Sequence, residues 1–424
     1  MAEAWSLTGN ERAYLRELAR KQAAYAALPI MAVRRSNWFA LNDNTAGARP
    51  PVIIETWTFD RDFMPDSVYR CTSHLGRNLE THLLRNIRNH ELIDDDKVMP
   101  GTFDIGWFTD IDDVGVAIHS EPIQDAEGVN CGYRFLHPIT DLERDFHLLK
   151  PAVCRVDRPR TLAWKAFLDE LLGDLLPVQI RTGTFGFTML TYRVVQLMGM
   201  EAFFTAMCDT PDAVHLLMAR LRDNALACMR WAEAEGLLLC NNGNDMSFGS
   251  SYNFTTRLPR KDWDGGAVRL RDMWGCVNSQ ETVGVSPEMY HEFCFPYYRD
   301  LCEPMGLVYY GCCEPAHPFW DDIRQYPNLK KVSISRWCDQ RFMAEALKGT
   351  GIVFSRKPDP NFLSVDKTLN EPAWSAHIRE TLELTRDIPV EILVRDVYTV
   401  HGNLANARNA AQLAKREIDR FFPA

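Results

Sequence analysis

The residue types most suited to chemistry follow short apolar segments in the C-terminal part of the sequence. Cys312, Cys313 and Glu314 come directly after the segment LVYYG, and Asp396 comes shortly after VEILV. Thiolates and carboxylates can bind zinc, act as nucleophiles or carry protons. Adjacent cysteines lack the spacer of a C-x-x-C zinc motif, and only one of the two side chains is expected to face a site. Packing of the thiols, and an ion pair between Arg395 and Asp396, therefore stay open as structural alternatives.

A second group of polar and aromatic side chains forms a candidate substrate-binding set. Arg356 and Lys357 follow the segment IVFS, where their charges could hold an anionic substrate or lie on a solvated face. The asparagines after GLLLC could hydrogen-bond a polar substrate or serve an ordinary turn. The complete set is Glu55, Trp57, Asn241, Asn242, Arg356, Lys357 and Tyr398.

These residues need a scaffold that brings distant segments to one edge. From about residue 162 onward, strands of five or six mostly apolar residues alternate with single helices, and the predicted strands include PVQIRTG, GLLLC, LVYYGC, KVSIS, IVFSRK and VEILVRD. Such alternation predicts an α/β fold with a parallel sheet buried on both faces. No G-x-G-x-x-G turn follows a strand, and the number of units favours a (β/α)8 TIM barrel, in which active-site residues lie at the carboxyl ends of the strands.

The predicted barrel spans residues 50–424, with an N-terminal helical arm over residues 1–49. The arm contains a helix from about Asn10 to Ala27, ended by Pro29, and then an irregular polar stretch. Two long loop insertions interrupt the barrel, at about residues 60–151 and 241–281. The second insertion is about forty residues long and polar, which is typical of a lid or docking surface.

The composition excludes several classes of protein. The 424 residues carry a formal net charge of −10 and are 46% hydrophobic, which excludes wholesale disorder and argues against a nucleic-acid partner. No window reaches the length of a membrane helix, and the N-terminus lacks an apolar signal-peptide core. Twelve cysteines without an export signal are expected to be reduced thiols. We therefore expect a cytoplasmic enzyme with no membrane partner.

Several segments together resemble the uroporphyrinogen decarboxylase-like superfamily, which includes the corrinoid-dependent methyltransferases. QETVGVSPEMYHEFCFPYYRDL, from Gln280 to Leu301, resembles the superfamily segment Q-x-G-x-x-I-S-P-x-x-F-x-x-F-x-x-P-Y. ARPPVIIETW resembles the opening barrel strand, and IVFSRKPDP resembles a G-N-x-D-P strand end. VYYGCCEP places Cys312 on the family cysteine, and EILVRDVYTVHGN resembles the last strand, which carries a cysteine in zinc methyltransferases. The resemblance covers roughly Arg49 to the C-terminus.

The resemblance implies a zinc centre with an altered ligand set. Where zinc methyltransferases have His-x-Cys and a last-strand cysteine, this chain has Tyr310, Cys312 and Asp396. The implied zinc ligands are therefore Cys312, Glu314 and Asp396, with His401 or Glu281 as further candidates. The same three residues are the candidate catalytic residues.

The first functional hypothesis is a corrinoid-dependent methyltransferase of the O-demethylase type. It would move a methyl group from a small methylated substrate, a methoxylated aromatic, to cobalamin carried by a separate small corrinoid-binding protein. Zinc, or an acid such as Glu314, would activate the ether oxygen.

Two alternatives stay open. The first is a decarboxylase of a tetrapyrrole or small acid, with Asp104 or Asp396 beside Arg356 or Arg395. The arginine-rich N-terminal substrate motif of the true decarboxylases does not map onto this chain, which argues against a tetrapyrrole. The second alternative is a barrel that binds a ligand without catalysis.

Overall fold

The helices and strands alternate along most of the chain. The computed structural model describes residues 5–124, 126, 130–183, 185–247 and 250–422. The helices are α1 Gly9–Ala26, α2 Pro29–Asn42, α3 Asp60–Phe63, α4 His74–Arg88, α5 Leu142–Asp145, α6 Arg158–Leu172, α7 Leu190–Met198, α8 Met200–Asp209, α9 Pro211–Ala234, α10 Pro287–Phe293, α11 Phe295–Cys302, α12 Trp320–Ile323, α13 Gln340–Leu347, α14 Asn361–Ser364, α15 Glu371–Leu384 and α16 Leu404–Phe421. The strands are β1 Val52–Ile54, β2 Phe103–Gly106, β3 Thr109–Asp112, β4 His119–Gln124, β5 Asn130–Leu136, β6 Val153–Val156, β7 Val178–Arg181, β8 Phe187–Thr188, β9 Met246–Ser247, β10 Ser251–Tyr252, β11 Trp274–Val277, β12 Leu307–Tyr310, β13 Leu329–Ile334, β14 Val353–Arg356 and β15 Val390–Val394.

The main sheet has seven strands in the order β1–β15–β14–β13–β12–β11–β8. Every pair of neighbours in it is parallel. Strands β12, β14 and β15 are buried along their whole length, as expected for parallel strands that are covered on both faces. These observations confirm the predicted mixed α/β fold with a parallel sheet.

β2 and β7 form a separate parallel pair. Side-chain hydrogen bonds join the segments next to this pair to β1 on one side and to the segment around Leu239 on the other. The carboxylates of Asp95 and Asp96, in the segment before β2, accept hydrogen bonds from the backbone N–H groups of Ile54 and Val52, each at 2.8 Å. On the other side, the hydroxyl of Thr182, directly after β7, donates to the carbonyl of Leu239 at 2.9 Å. In the described part of the chain no backbone ladder crosses either junction, and the closed barrel stays a prediction.

One strand prediction and one loop prediction around residues 237–281 are wrong. GLLLC is not a strand, although Leu237 and Leu238 are buried. Conversely, β11 lies inside the segment predicted as a lid loop, between β8 and β12 of the main sheet. The same segment contains the β9–β10 hairpin, whose Tyr252 packs edge-on against Trp38. This segment is therefore largely part of the folded interior.

Local signals explain the helix boundaries that the sequence predicts well. Thr8 and Glu11 form a capping box at the start of α1, and Ser73 caps α4 by accepting from the backbone N–H of Gly76. Pro211 lies in the first turn of α9, where a missing N–H costs nothing. The predicted boundaries of α1 agree with the structure to within about one residue.

The N-terminal arm contains two helices where the sequence predicted one. Pro29 occupies the first turn of α2, so it begins a second helix and does not lead into an irregular stretch. The salt bridge between Arg16 and Asp174 joins α1 to the turn after α6 at 2.6 Å. Within the described residues, no helix combines the length and hydropathy needed to cross a membrane.

Candidate active site

Two strands of the main sheet deliver the candidate residues to one edge. β12 ends at Tyr310 and is followed by Cys312, Cys313 and Glu314, whereas β15 is followed by Arg395 and Asp396. Gly311 has a φ of +97°, and this left-handed conformation, which glycine adopts readily, allows the chain to turn sharply after β12. Because parallel strands end at the same edge, segments about eighty residues apart in the sequence meet there.

The meeting point is the floor of an open cavity of about 820 Å³. Both thiols of the cysteine pair line it, so the prediction that only one of them faces the site is wrong. The lining residues are Trp57, Met200, Gln280, Glu281, Val283, Cys312, Cys313, Glu314, Pro315, Trp337, Arg395, Asp396 and Tyr398.

The two thiols have different hydrogen-bond partners. The Sγ atoms of Cys312 and Cys313 lie 3.6 Å apart. The guanidinium of Arg395 donates to Cys312 Sγ at 3.4 Å, whereas the thiol of Cys313 donates to Asp396 Oδ2 at 3.1 Å. The arrangement therefore suits an ionised Cys312 beside a protonated Cys313.

The electrostatics around the pair lead to the same protonation states. The single thiol proton of Cys313 lies between Cys312 Sγ and Asp396 Oδ2. This hydrogen bond and the positive charges of Lys357 and Arg395 outweigh burial and lower the pKa of Cys312. The pKa of Cys313 is raised, because its proton is shared with Cys312 and because it is buried. Of the two sulfurs, Cys312 is therefore the better nucleophile.

Glu314 is fixed by the backbone of the turn that carries the thiols. Its Oε2 accepts from the N–H of Cys312 at 2.8 Å, and its Oε1 accepts from the N–H of Ser279 at 3.2 Å. The residue is 1% exposed. With both oxygens bound to backbone N–H groups, Glu314 holds the Cys312 turn against the segment that carries Ser279.

Glu281 is a buried carboxyl group in the lining of the cavity. The residue is 8% exposed, and the hydroxyl of Thr191 donates to its Oε2 at 2.7 Å. Burial, together with the negative charge of Glu314, raises the pKa of Glu281 despite that bond. From the sequence, Glu281 was predicted only as a further zinc ligand. Its position as the second residue of the segment from Gln280 to Leu301 could have indicated that it lies in the site.

Cationic and acidic side chains alternate behind the thiols. The Nε of Arg395 lies 3.4 Å from Glu55 Oε2 and 3.7 Å from Asp396 Oδ1. Lys357 is buried and donates its ammonium proton to the carbonyl of Cys312. Glu55 and Lys357, predicted to bind substrate, therefore lie behind the cavity wall and hold Arg395 and the Cys312 turn.

Trp57 and Tyr398, also predicted to bind substrate, lie at the mouth of the cavity and are exposed. Trp337, which was not in the predicted set, joins them with 65% of its surface exposed. Its position directly after the end of β13 was the signal that could have identified it. Three aromatic side chains thus surround the opening.

Three other predicted substrate-binding residues are not among those that line the cavity. The amide of Asn241 pairs with the backbone of Trp274, at 2.8 and 3.0 Å. The amide of Asn242 donates to the carbonyls of Thr255 and Leu258. Both amides thus hold the segment before β11.

The third, Arg356, donates to the carbonyls of Ile334 and Ser335. His401, the further zinc candidate, is exposed and contacts the carbonyl of Ser364 at 3.1 Å. Asp104, suggested for decarboxylation, pairs with Arg181 at 3.2 Å. The partners of Arg356, His401 and Asp104 therefore do not include either thiol of the cysteine pair.

The side chains do not fit the zinc centre that the resemblance implies. Over the described residues, no group of three or more His, Cys, Asp and Glu side chains is arranged to hold a metal ion. Arg395 donates to Cys312, and both oxygens of Glu314 accept backbone N–H groups. A guanidinium 3.4 Å from the thiolate places a positive charge where a zinc ion would need to approach.

Comparison with solved structures finds several similar chains. The chain is similar to a methyltransferase from Methanosarcina mazei, with a TM-score of 0.49 and 13% sequence identity. The alignment covers 89% of this chain and 98% of that chain. No protein-family model matches the sequence, and no curated protein matches it.

Proposed function

We propose that this protein is a methyltransferase that moves a methyl group from a small methoxylated aromatic substrate to cobalamin on a separate corrinoid-binding protein. The observation that carries the proposal is the composition of the cavity. The lining of an open cavity combines three aromatic side chains, Trp57, Trp337 and Tyr398, with the buried carboxyl group of Glu281 and the thiol of Cys312, to which Arg395 donates a hydrogen bond. Burial raises the pKa of Glu281, and the neighbouring charges and hydrogen bond lower the pKa of Cys312. The sequence resemblance to corrinoid-dependent methyltransferases supports the same chemistry.

The aromatic mouth supplies the contacts for the substrate. Trp57, Trp337 and Tyr398 offer flat apolar faces on which an aromatic ring can stack. The cavity opens widely to solvent, so a second protein could approach its contents. Among the lining residues Arg395 is the only cation, and Glu55 and Asp396 already surround it. A multiply charged tetrapyrrole would find few partners there.

Methyl transfer from an ether requires the oxygen to become a better leaving group. In the proposed mechanism the protonated carboxyl of Glu281 donates its proton to the ether oxygen as the bond from carbon to oxygen breaks, and the substrate leaves as a phenol. A reduced corrinoid on the partner protein supplies the methyl acceptor. Arg395 and Glu314 hold the Cys312 turn, and Asp396 holds the thiol of Cys313. Because the side chains do not fit a zinc site, the ether oxygen is activated in this mechanism by the proton from Glu281.

We further infer that the parallel strands close into a (β/α)8 barrel. The side-chain bonds from Asp95 and Asp96 to β1, and from Asn241 to the start of β11, span the two junctions that lack a backbone ladder. The free thiols of the cysteine-rich chain suit a reducing environment. The proposal accordingly includes a cytoplasmic location.

The test is direct methylation of reduced cobalamin by the purified protein with a methoxylated benzoate. We expect a methylcobalamin absorbance spectrum and release of one phenol for each methyl group. Glu281→Gln should lower the rate by about 100-fold or more because it removes the proton donor. Glu303→Gln, at an exposed position, is the matched control and should leave the rate unchanged.

Two results would overturn the proposal. Release of carbon dioxide from an acidic substrate without cobalamin methylation would favour the decarboxylase. Tight binding of the aromatic substrate with neither product would favour a ligand-binding protein.

A further inference from the structure

Two cysteines far from the candidate active site lie in direct contact. Cys154 is on β6 and Cys228 is on α9, and their Sγ atoms lie 3.2 Å apart although 74 positions separate them in the sequence. Both residues are partly exposed, so a small reagent can reach them. The contact joins an edge strand of an insertion to the longest helix of the fold.

The pair links two walls of a second cavity. β6 pairs with β3 so that Cys154 lies opposite Ile111. Ile111 lines a cavity of about 520 Å³, and Cys228 and Met229 of α9 line its other side. This second cavity shares no lining residue with the cavity at Cys312. A covalent bond between the two sulfurs would therefore fix the distance between the walls of the second cavity.

We propose that Cys154 and Cys228 form a reversible disulfide that clamps α9 to the β3–β6 ribbon under oxidising conditions. The inference does not depend on methyl transfer at the other cavity. A disulfide of this kind inside a cell is transient and responds to redox conditions.

The oxidant is a small disulfide such as oxidised glutathione. The Cys154 thiolate attacks one sulfur of the small disulfide, forms a mixed disulfide and releases one small thiol. Cys228 then gives its proton to solvent and attacks the sulfur of Cys154, which forms the internal disulfide and releases the second small thiol. Two protein thiols are oxidised, and one small disulfide is reduced to two thiols.

The surroundings of the pair set this order. Burial, the contact with Cys154 and the negative charge of Asp113 raise the pKa of Cys228 to about 12. Cys228 is therefore a poor first nucleophile, but it lies next to the sulfur that it must attack in the second step.

The geometry favours this pair over the adjacent cysteines of the first cavity. The sulfurs of Cys154 and Cys228 need to approach by only about 1 Å to reach bonding distance. Cys312 and Cys313 are neighbours in sequence, and their Cα atoms, about 3.8 Å apart, are closer than the usual range for a disulfide. A bond between them would strain the turn.

The experiment treats the full-length protein with oxidised glutathione, blocks the remaining thiols and maps the peptides without reduction. We expect one cross-linked peptide pair containing Cys154 and Cys228, which dithiothreitol separates again. Hydrogen–deuterium exchange should slow by about tenfold in the second half of α9 and in β6, because the clamp suppresses local opening. Cys208→Ser, which removes an exposed thiol on α8, should leave both results unchanged.

Cys228→Ser is the decisive variant. It should retain a stable glutathione adduct on Cys154 and show no slowing of exchange. Free thiols at both positions after oxidation would overturn the proposal, as would a persistent adduct on Cys154 in the unmodified sequence. Unchanged exchange in the cross-linked protein would disprove the clamp.

Discussion

At the scale of single residues, two adjacent thiols acquire opposite acid strengths from their partners. Cys312 faces the guanidinium of Arg395, whereas Cys313 faces the carboxylate of Asp396. The hydrogen bond from Cys313 and the positive charges of Lys357 and Arg395 favour the thiolate at Cys312, whereas the proton shared with Cys312 and burial favour the thiol at Cys313. Sequence reasoning could place Cys312 and Asp396 at one edge because both follow parallel strands. It could not assign Asp396 to Cys313, since that choice depends on side-chain directions within two turns.

The first residue-scale prediction concerns the reactivity of Cys312. Its pKa lies below the ordinary thiol value, so the thiolate persists to lower pH than that of an ordinary thiol and is lost as the pH falls through the lowered pKa. We expect alkylation of Cys312 by iodoacetamide to reach half its maximal rate at a pH below that ordinary value, measured by peptide mass spectrometry. Cys313→Ala removes the hydrogen bond to the thiolate and should move the midpoint towards the ordinary value of about 8.5.

Cys240 provides an internal control for this titration. Burial raises its pKa, so its alkylation should begin only at higher pH in the same samples. A Cys312 midpoint that coincides with that of Cys240 would contradict the proposed electrostatics. A normal midpoint for Cys312 in the unmodified protein would do the same.

At the scale of elements, the sequence predicts long helices with clear capping residues well. It predicts poorly where short strands occur and where side chains take the place of strand pairing. The start of α9 is predicted by Asp209 or Thr210 as a cap and Pro211 in the first turn, and the structure has Thr210 at the N-cap position. β11 has only four residues inside a polar stretch, so its pattern is indistinguishable from a loop. GLLLC has the apolar pattern of a strand, but Thr182 hydrogen-bonds the backbone of Leu239 in place of a neighbouring strand. A hydrogen bond from a single side chain, in place of a backbone ladder between strands, produces no periodic pattern in the sequence.

The β9–β10 hairpin explains why the segment predicted as a lid is structural. Lys331 of β13 is fully buried, and its ammonium donates to Ser251 Oγ at 2.5 Å and to the carbonyl of Tyr252 at 2.9 Å. Glu391 of β15, also fully buried, lies 3.3 Å from the same ammonium. Both charged residues lie in the amino-terminal halves of their strands, whereas Cys312 and Asp396 follow the carboxyl ends of theirs. The hairpin therefore supplies hydrogen-bond partners to a buried ion pair inside the fold.

The element-scale prediction follows from that pair. Lys331→Met leaves the carboxylate of Glu391 buried without its partner, and should lower the free energy of unfolding by about 3–5 kcal/mol. The measurement is equilibrium denaturation in urea. The double variant with Glu391→Leu removes both charges and should recover most of the loss. A double variant as unstable as the single one would show that packing, and not charge, makes this site sensitive.

At the scale of the whole molecule, the N-terminal arm is packed into the protein. Leu15 of α1 and Trp38 of α2 are fully buried, and the indole N–H of Trp38 donates to the carbonyl of Asp96 at 3.0 Å. The ammonium of Lys331 lies 5.7 Å from the centre of the same indole ring. The arm thus covers the charge pair from one side while the β9–β10 hairpin contacts it from another. From the sequence, residues 1–49 were predicted to be a separate arm, because a helix ended by Pro29 is followed by a polar stretch without a regular pattern. Contacts between distant segments are not visible in such local patterns.

Two tryptophans test how far the arm contributes to the stability of the fold. Trp38→Ala removes a fully buried ring together with its hydrogen bond, and should lower the free energy of unfolding by about 3–5 kcal/mol in urea denaturation. Trp337→Ala makes the same chemical change at the mouth of the first cavity, where 65% of the residue is exposed, and should change stability by less than about 0.5 kcal/mol. The exposed variant should instead weaken binding of the aromatic substrate. A small loss for Trp38→Ala would mean that residues 1–49 fold as a separate arm, because a ring that closes the interior cannot be removed without leaving a cavity.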